Sequence, residues 1–241
     1  IDADGGDPVL VGIGGLEHMS RGGTRHVVLG RPAAEEDDEV DSGGGHRDDA
    51  SGPATTAGGT RLASVPTMRF SAADAAKATG GLLDGPDVGL DGASFDSRSL
   101  RPGQLFVPVV AERDGHDYID AAVAAGAPAY LTTGRHASGP QGTAIVVDDT
   151  TAALLAIGRW ARGRLPDRVI GITGSVGKTS VKDLTREVVG AHWRTTASVN
   201  SFNNEWGLPV TILGAPDGTE ALVLEMGMRG FGQISQLCEV G

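Results

Sequence analysis

One cysteine, three lysines and ten aromatic residues in 241 positions are low counts, and each shortage removes a class of protein. Cys238 alone cannot build an intramolecular disulfide framework or a cysteine-rich zinc site; it fits a reducing cytoplasm and predicts a small buried hydrophobe. Nothing approaches eighteen consecutive apolar residues, and the N-terminus lacks a charged region followed by an apolar one, which predicts a cytoplasmic protein with no membrane span. Twenty basic residues against 31 acidic ones leave a net charge of −11 and no broad basic surface, so duplex nucleic acid held by phosphate neutralisation is excluded as a partner.

The shortages are not evenly spread. Residues 1–67 hold 12 of the 31 acids, 5 of the 20 bases, 14 of the 38 glycines and no aromatic residue. Such a stretch cannot bury enough apolar surface to offset its ordering entropy, so 1–67 is expected to be a disordered or non-native extension, with Met68 as the biological start. The Gly12-Ile13-Gly14 triplet inside it does not make a dinucleotide fingerprint, because position 17 is Glu and no helical pattern follows.

From Met68 the pattern is regular. Ser71 with Asp74 three residues on opens an Ala-rich helix that Gly80-Gly81 stops. Short apolar runs at Ala93–Phe95 and Leu105–Val110, a helix over Tyr118–Ala125 and strands at Ala129–Thr132 and Ala144–Val147 make a small α/β unit, 68–149. A helical period over Asp149–Leu165 bridges to a second unit, 150–241. There Val169–Thr173 is a buried strand, and a helix from Lys178 carries Val181, Leu184 and Val188 on one side. A further helix fits Trp206–Leu213, and Ala221–Glu225 is an apolar strand. Alternating strands and helices predict an α/β fold with a mostly parallel sheet.

The strongest chemical signal is the run from Val169 to Ser180, a strand passing through a glycine turn into a helix. Glycines let the backbone approach phosphate, and the N–H groups of Gly174, Ser175, Val176, Gly177, Lys178, Thr179 and Ser180 suit an anion cradle. Lys178 would set its ammonium on the β- and γ-phosphates, and Thr179 would offer a hydroxyl oxygen to Mg²⁺. Ile172 stands where the longer phosphate-loop consensus has glycine, so the match is to the shorter G-x-x-G-K-T-S form. An acid at the end of a neighbouring strand would complete the metal site, and Glu225 is so placed. The amide-rich segment Asn200 to Glu205 suits either capping of the next helix or ligand contact. Lys182, one turn past Lys178, reads as solvated, and His116 as a turn histidine.

Four blocks together resemble the Mur ligase family. TGSVGKTSVKDL at 173–184, NSFNNEWGLPVTIL at 200–213 and VLEMGMRGFGQISQLC at 223–238 are similar to its ATPase domain, and FDSRSLRPGQLFVPVVAERDGHDYIDAAVAAGAPAYL at 95–131 to its UDP-sugar domain. Within the family, GKTS and the NNE-x-G block most resemble the MurF subfamily. The resemblance implies a small UDP-sugar-binding domain followed by a truncated phosphate-loop ATPase domain, and ATP-dependent amide-bond formation through an acyl phosphate. It implies D-alanyl-D-alanine and UDP-N-acetylmuramoyl-tripeptide as substrates, ATP and Mg²⁺ as cofactors, and a monomer at full length. By the same resemblance Lys178 and Glu225 are catalytic, Thr179 and Glu225 hold the metal, and Ser97, Arg98, Asn203 and Asn204 face the muramoyl substrate, although Arg98 could equally pair with Asp96. The family continues past the equivalent of Gly241 with a histidine-bearing block and an amine-binding domain, so this chain is expected to bind nucleotide weakly and not to complete ligation. Alternatives are a MurE-type ligase adding the third amino acid, or an inactive fragment that only binds nucleotide.

Overall fold

The computed structural model describes residues 67–134, 142–199 and 202–241, together with the backbone of two strands at 9–13 and 26–29. In chain order the elements are β1 (Val9–Ile13), β2 (His26–Leu29), β3 (Arg69–Ser71), α1 (Ala72–Thr79), β4 (Leu82–Asp84), β5 (Gly89–Asp91), β6 (Ala93–Ser94), β7 (Leu105–Phe106), α2 (Ile119–Ala124), β8 (Ala129–Thr132), β9 (Thr143–Val146), α3 (Thr150–Arg162), β10 (Val169–Gly174), α4 (Lys178–Gly190), β11 (Thr195–Ala197), α5 (Gly207–Leu213), β12 (Ala221–Glu225) and α6 (Gln233–Cys238). The α/β class and the mostly parallel sheets follow the sequence pattern.

The first sheet runs β4-β9-β8-β7-β6, parallel except for β4 at one edge. Period-two alternation divides its side chains between two cores. Leu105, Ala129, Leu131 and Ile145 enter the larger cluster, and Phe106, Tyr130 and Ala144 a smaller one with Ile119 and Ala122 of α2. Strand β7 is shorter than the apolar run suggests because Pro108 brings no N–H to the ladder. Ser71 and Asp74 form a reciprocal capping box at the start of α1, and Gly80 closes that helix in the left-handed conformation.

Helix α3 joins the two units. Asp149 caps its N-terminus by accepting the Ala152 N–H at 2.7 Å. Its buried Leu154, Ile157 and Ala161 belong to the larger cluster, which also takes Phe70, Ala72 and Ala75 from the first unit and Leu208, Ile212, Leu222 and Leu224 from the second. One apolar core therefore spans both. The Phe70 and Trp160 rings meet edge-on at 5.8 Å within it.

The second sheet is all parallel, in the order β11-β12-β10-β1-β2. Its last two strands lie inside the 1–67 stretch, where composition predicts no packed structure; Val9–Ile13 pairs with β10, and His26–Leu29 with β1. The runs VLVGI and HVVL are rich in β-branched residues, and averaging over 67 positions hides them. The Gly12-Ile13-Gly14 triplet begins in β1 and leaves the described residues at Gly14.

Two side-chain expectations are corrected. On α4, Leu184 and Val188 are exposed, at 68% and 71%, while Lys182 is 3% exposed. The inward stripe is set by the glycine-turn entry at Lys178 and recurs at 182, 185 and 189, one position out of phase with Val181, Leu184 and Val188. Cys238 is exposed rather than buried as a residue, although its sulfur turns to Met226 Sδ at 3.8 Å, and desolvation there pushes the thiol pKa up. None of the described helices is long and apolar enough to cross a membrane.

Candidate active site

In a parallel sheet the loops at the carboxyl ends of the strands face a common crevice. Here the loops after β10, β11 and β12 line one cleft of about 560 Å³, walled by Thr173, Gly174, Ser175, Lys178, Asn203, Asn204, Glu205, Gly227, Met228, Arg229, Gln233 and Ile234. Five residues singled out in the sequence thus meet there: Gly174, Ser175, Lys178, Asn203 and Asn204. Glu205 closes the amide-rich segment weighed for ligand contact; Met228, Arg229 and Gln233 were not singled out, although a family-like block contains them, and only the fold turns them to the cleft.

The turn into α4 is built around Gly177, whose φ of 77° is left-handed and suits a residue without Cβ. The first helical hydrogen bond is Val181 N–H to the Gly177 carbonyl at 3.0 Å, so the preceding N–H groups lie ahead of the helical ladder, as an anion cradle needs. The Lys178 ammonium is folded back on the loop and donates to the Gly174 carbonyl at 2.8 Å. Thr179 and Ser180 are exposed on the first turn, and Val176 is 75% exposed at the tip.

Glu225 ends β12 in register with Ile172 of β10, two residues before Gly174. It is 1% exposed. Its backbone N–H donates to Ser198 Oγ at 3.0 Å, and its Oε1 accepts from Asn203 Nδ2 at 2.8 Å. Its Oε2 is buried with no hydrogen-bond partner. A carboxylate oxygen in that state is costly unless a cation or proton meets it, so the site suits a hard cation such as Mg²⁺. Among the described residues there is no cluster of three or more His, Cys, Asp or Glu side chains able to hold a metal by themselves.

Asn204 behaves differently from its neighbour. Its Oδ1 accepts the Gly207 N–H at 2.9 Å, capping α5, so of the two readings left open for this loop the cap is realised at that residue. Asn200 and Ser201 lie outside the described residues. Lys182, expected in solvent, lies under α4 and donates to the Ser198 carbonyl at 2.9 Å, with Asp183 Oδ1 at 3.2 Å.

Ser97 and Arg98 do not line this cleft; they follow β6 in the first unit. The Arg98 guanidinium makes a two-pronged pair with Asp96, Nε to Oδ1 at 2.9 Å and Nη2 to Oδ2 at 2.8 Å, which holds the Asp96 carboxyl below its ordinary range. The adjacent Phe95 ring meets Phe202 at 5.4 Å, so the Arg98 loop and the Asn203 loop touch through one aromatic pair. His116 is buried in its turn, Nδ1 at 2.6 Å from Asp114 Oδ1 and Nε2 accepting the Thr133 N–H at 3.2 Å.

The Mur ligase middle-domain family matches residues 172–240. The UDP-N-acetylmuramoyl-tripeptide–D-alanyl-D-alanine ligase of Bacillus subtilis is 41% identical over 150 residues, which is 61% of this chain and 33% of that protein. The Escherichia coli enzyme of the same name is 38% identical over 157 residues, covering 64% and 34%. Among solved structures, MurF from Acinetobacter baumannii superposes with a TM-score of 0.66 at 25% identity, over 73% of this chain and 40% of that one. MurF from Thermotoga maritima in complex with ADP does so with a TM-score of 0.54 at 32% identity, over 61% and 34%. The chain spans about a third of the length of the curated relatives it matches. The glycine turn, Lys178 and Glu225 stand at one end of a parallel sheet, and the stretch that carries them, residues 172–240, is the one that matches the Mur ligase middle-domain family.

Proposed function

We propose that this chain carries the nucleotide and UDP-substrate portions of an ATP-dependent amide ligase of peptidoglycan precursor synthesis, one that joins D-alanyl-D-alanine to UDP-N-acetylmuramoyl-tripeptide. The observation that carries the reading is Glu225, a buried carboxylate with one oxygen unpartnered, in register beside the strand that feeds the glycine turn. Residues 68–149 serve as the UDP-substrate domain, with Ser97 and Arg98 toward the pyrophosphate, and 150–241 as ATPase domain. The 41% and 38% identity to relatives named for this reaction supports the choice of substrates.

In this reading the N–H groups from Gly174 to Ser180 take the phosphate oxygens of ATP, and Lys178 leaves the Gly174 carbonyl to hold the β- and γ-phosphates. Thr179 and Glu225 would hold Mg²⁺, which supplies neutralisation of the charge that gathers on the transferred phosphoryl group. The substrate carboxylate is a poor electrophile until phosphorylation provides a leaving group. These residues serve that step by fixing the phosphate chain in line with the carboxylate and offsetting its charge. The incoming amine then forms the C–N bond as phosphate leaves and the amine proton passes to solvent.

The test is titration of the chain with ATP and with UDP-N-acetylmuramoyl-tripeptide, followed by assay of phosphate release on adding D-alanyl-D-alanine. Binding of both ligands is expected. Release dependent on the dipeptide establishes the full ligase, and binding without release leaves a binding-only chain. Preference for the dipeptide precursor and a free amino acid would point to a MurE-type ligase instead. Failure to bind ATP overturns the reading.

A further inference from the structure

Two polar side chains hold Glu225, Ser198 at its backbone N–H and Asn203 at its carboxylate, and the family resemblance implies a substrate contact for Asn203. We infer that Asn203 is a positioning residue for the Glu225 carboxylate, fixing which of its oxygens is left for a divalent cation; this rests on the reading of Glu225 as a metal ligand. The carboxylate can only accept, so it must meet the donor end of the Asn203 amide, Nδ2 at 2.8 Å from Oε1. That engages one oxygen and leaves the buried Oε2 as the one without a partner.

The amide is itself held in place. The Asn203 backbone carbonyl accepts the Gly227 N–H at 2.6 Å, so the asparagine binds both the last residue of β12, through its side chain, and the residue two beyond it, through its main chain. Gly227 makes room for this: a Cβ there would come within 3.0 Å of Asn203 Cγ and Oδ1. Phe202 is braced against Phe95 on one side and Gly207 on another, where a Cβ would meet the Phe202 backbone at 2.6 Å. On the opposite side the Glu225 N–H is taken by Ser198 Oγ, and the Ser198 carbonyl by Lys182 Nζ. Asn203 thus meets the carboxylate itself, while Ser198, tied to Lys182 of α4, fixes the Glu225 backbone. Groups that orient a metal ligand commonly affect metal affinity 10- to 100-fold.

The experiment is an electron paramagnetic resonance titration of Mn²⁺ into the 241-residue chain in the presence of ADP. ADP binding is measured separately in EDTA, and melting curves are recorded for every variant. Wild type is expected to bind Mn²⁺ and Glu225→Gln to lose it. Asn203→Ala, Asn203→Leu and Gly227→Ala are each expected to weaken Mn²⁺ binding about tenfold, with ADP binding in EDTA unchanged within about twofold, a split that a role in nucleotide or substrate contact would not give. If both Asn203 variants melt normally and bind Mn²⁺ as wild type does, while Glu225→Gln does not, the inference is overturned and the metal site stands. If Glu225→Gln binds as tightly as wild type, the metal reading fails and the inference falls with it. Should both Asn203 variants melt below the assay temperature, Gly227→Ala decides by the same criterion.

Discussion

The loop after β6 and the loops after β10 and β12 are alike in position, each following a parallel strand, and unlike in how they treat charge. After β6, Asp96 and Arg98 satisfy one another in a two-pronged pair, with the Arg98 side chain 88% exposed. At the other site a carboxylate is buried to 1% and only one of its oxygens is met. The first arrangement is complete without a ligand. The second carries an unmet desolvation cost that a cation would remove, which is why it marks chemistry more sharply than charge density does. The two regions are nonetheless mechanically joined, by α3, by a continuous apolar core and by the Phe95–Phe202 contact.

The joint is where the largest effect is expected. Leu154→Ala, at a fully buried position of α3, should cost about 2–5 kcal/mol and lower the melting of both units together in calorimetry. Two separate transitions, only one of them shifted, would break the picture of a shared core. Next in size is Lys178→Ala, which should weaken ATP binding about 10- to 100-fold by calorimetric titration, the worth of a hydrogen bond to a charged group. Its thermal stability should hardly move.

Glu225→Gln sharpens the contrast between the two loops directly. The amide keeps an oxygen for Asn203 Nδ2 and removes a buried charge, so the metal-free chain should gain about 1 kcal/mol in denaturant unfolding, while Mg²⁺ ceases to stabilise the ADP complex. A loss of metal-free stability would mean that Oε2 is already compensated. Leu184→Ala, on the exposed face of α4, should change stability by less than about 0.5 kcal/mol.

The smallest effect belongs to Asp96. Its folded pKa is depressed, chiefly by the Arg98 hydrogen bonds, so its contribution is present above the unfolded value near pH 4 and is lost as pH falls through the folded value. Because the pair is exposed, Asp96→Asn should cost no more than a few tenths of a kcal/mol at pH 7, and the cost should fade as the pH drops through the folded value. With Arg98 serving the UDP substrate as proposed, Arg98→Ala should weaken that ligand's binding with little effect on stability.

Much of this architecture was legible from local pattern. The strands Ala129–Thr132 and Ala221–Glu225 have the bounds that their apolar runs indicate, and the Ser71–Asp74 capping box forms as spaced. Short strands were missed where nothing alternates: Leu82–Asp84 and Gly89–Asp91 are held by their partners rather than by propensity. The six-residue helix Gln233–Cys238 was missed because it is too short to show a period. The phase of α4 was misjudged because apolar spacing says that a helix has two faces, while the entry at Lys178 says which one the sheet receives.

By itself, the sequence determined most of the order of strands and helices between Ser71 and Glu225, the glycine turn with Lys178 and Thr179 at a helix start, and the family resemblance carried by four blocks. These depend on neighbours along the chain, and short-range spacing encodes them. Only the tertiary structure decided that Lys182 is buried, that Asn204 caps a helix while Asn203 turns to Glu225, and that one oxygen of Glu225 has no partner. Those outcomes depend on which residues from distant strands share the crevice. A side chain's solvation and hydrogen bonds are properties of that shared space rather than of its place in the chain.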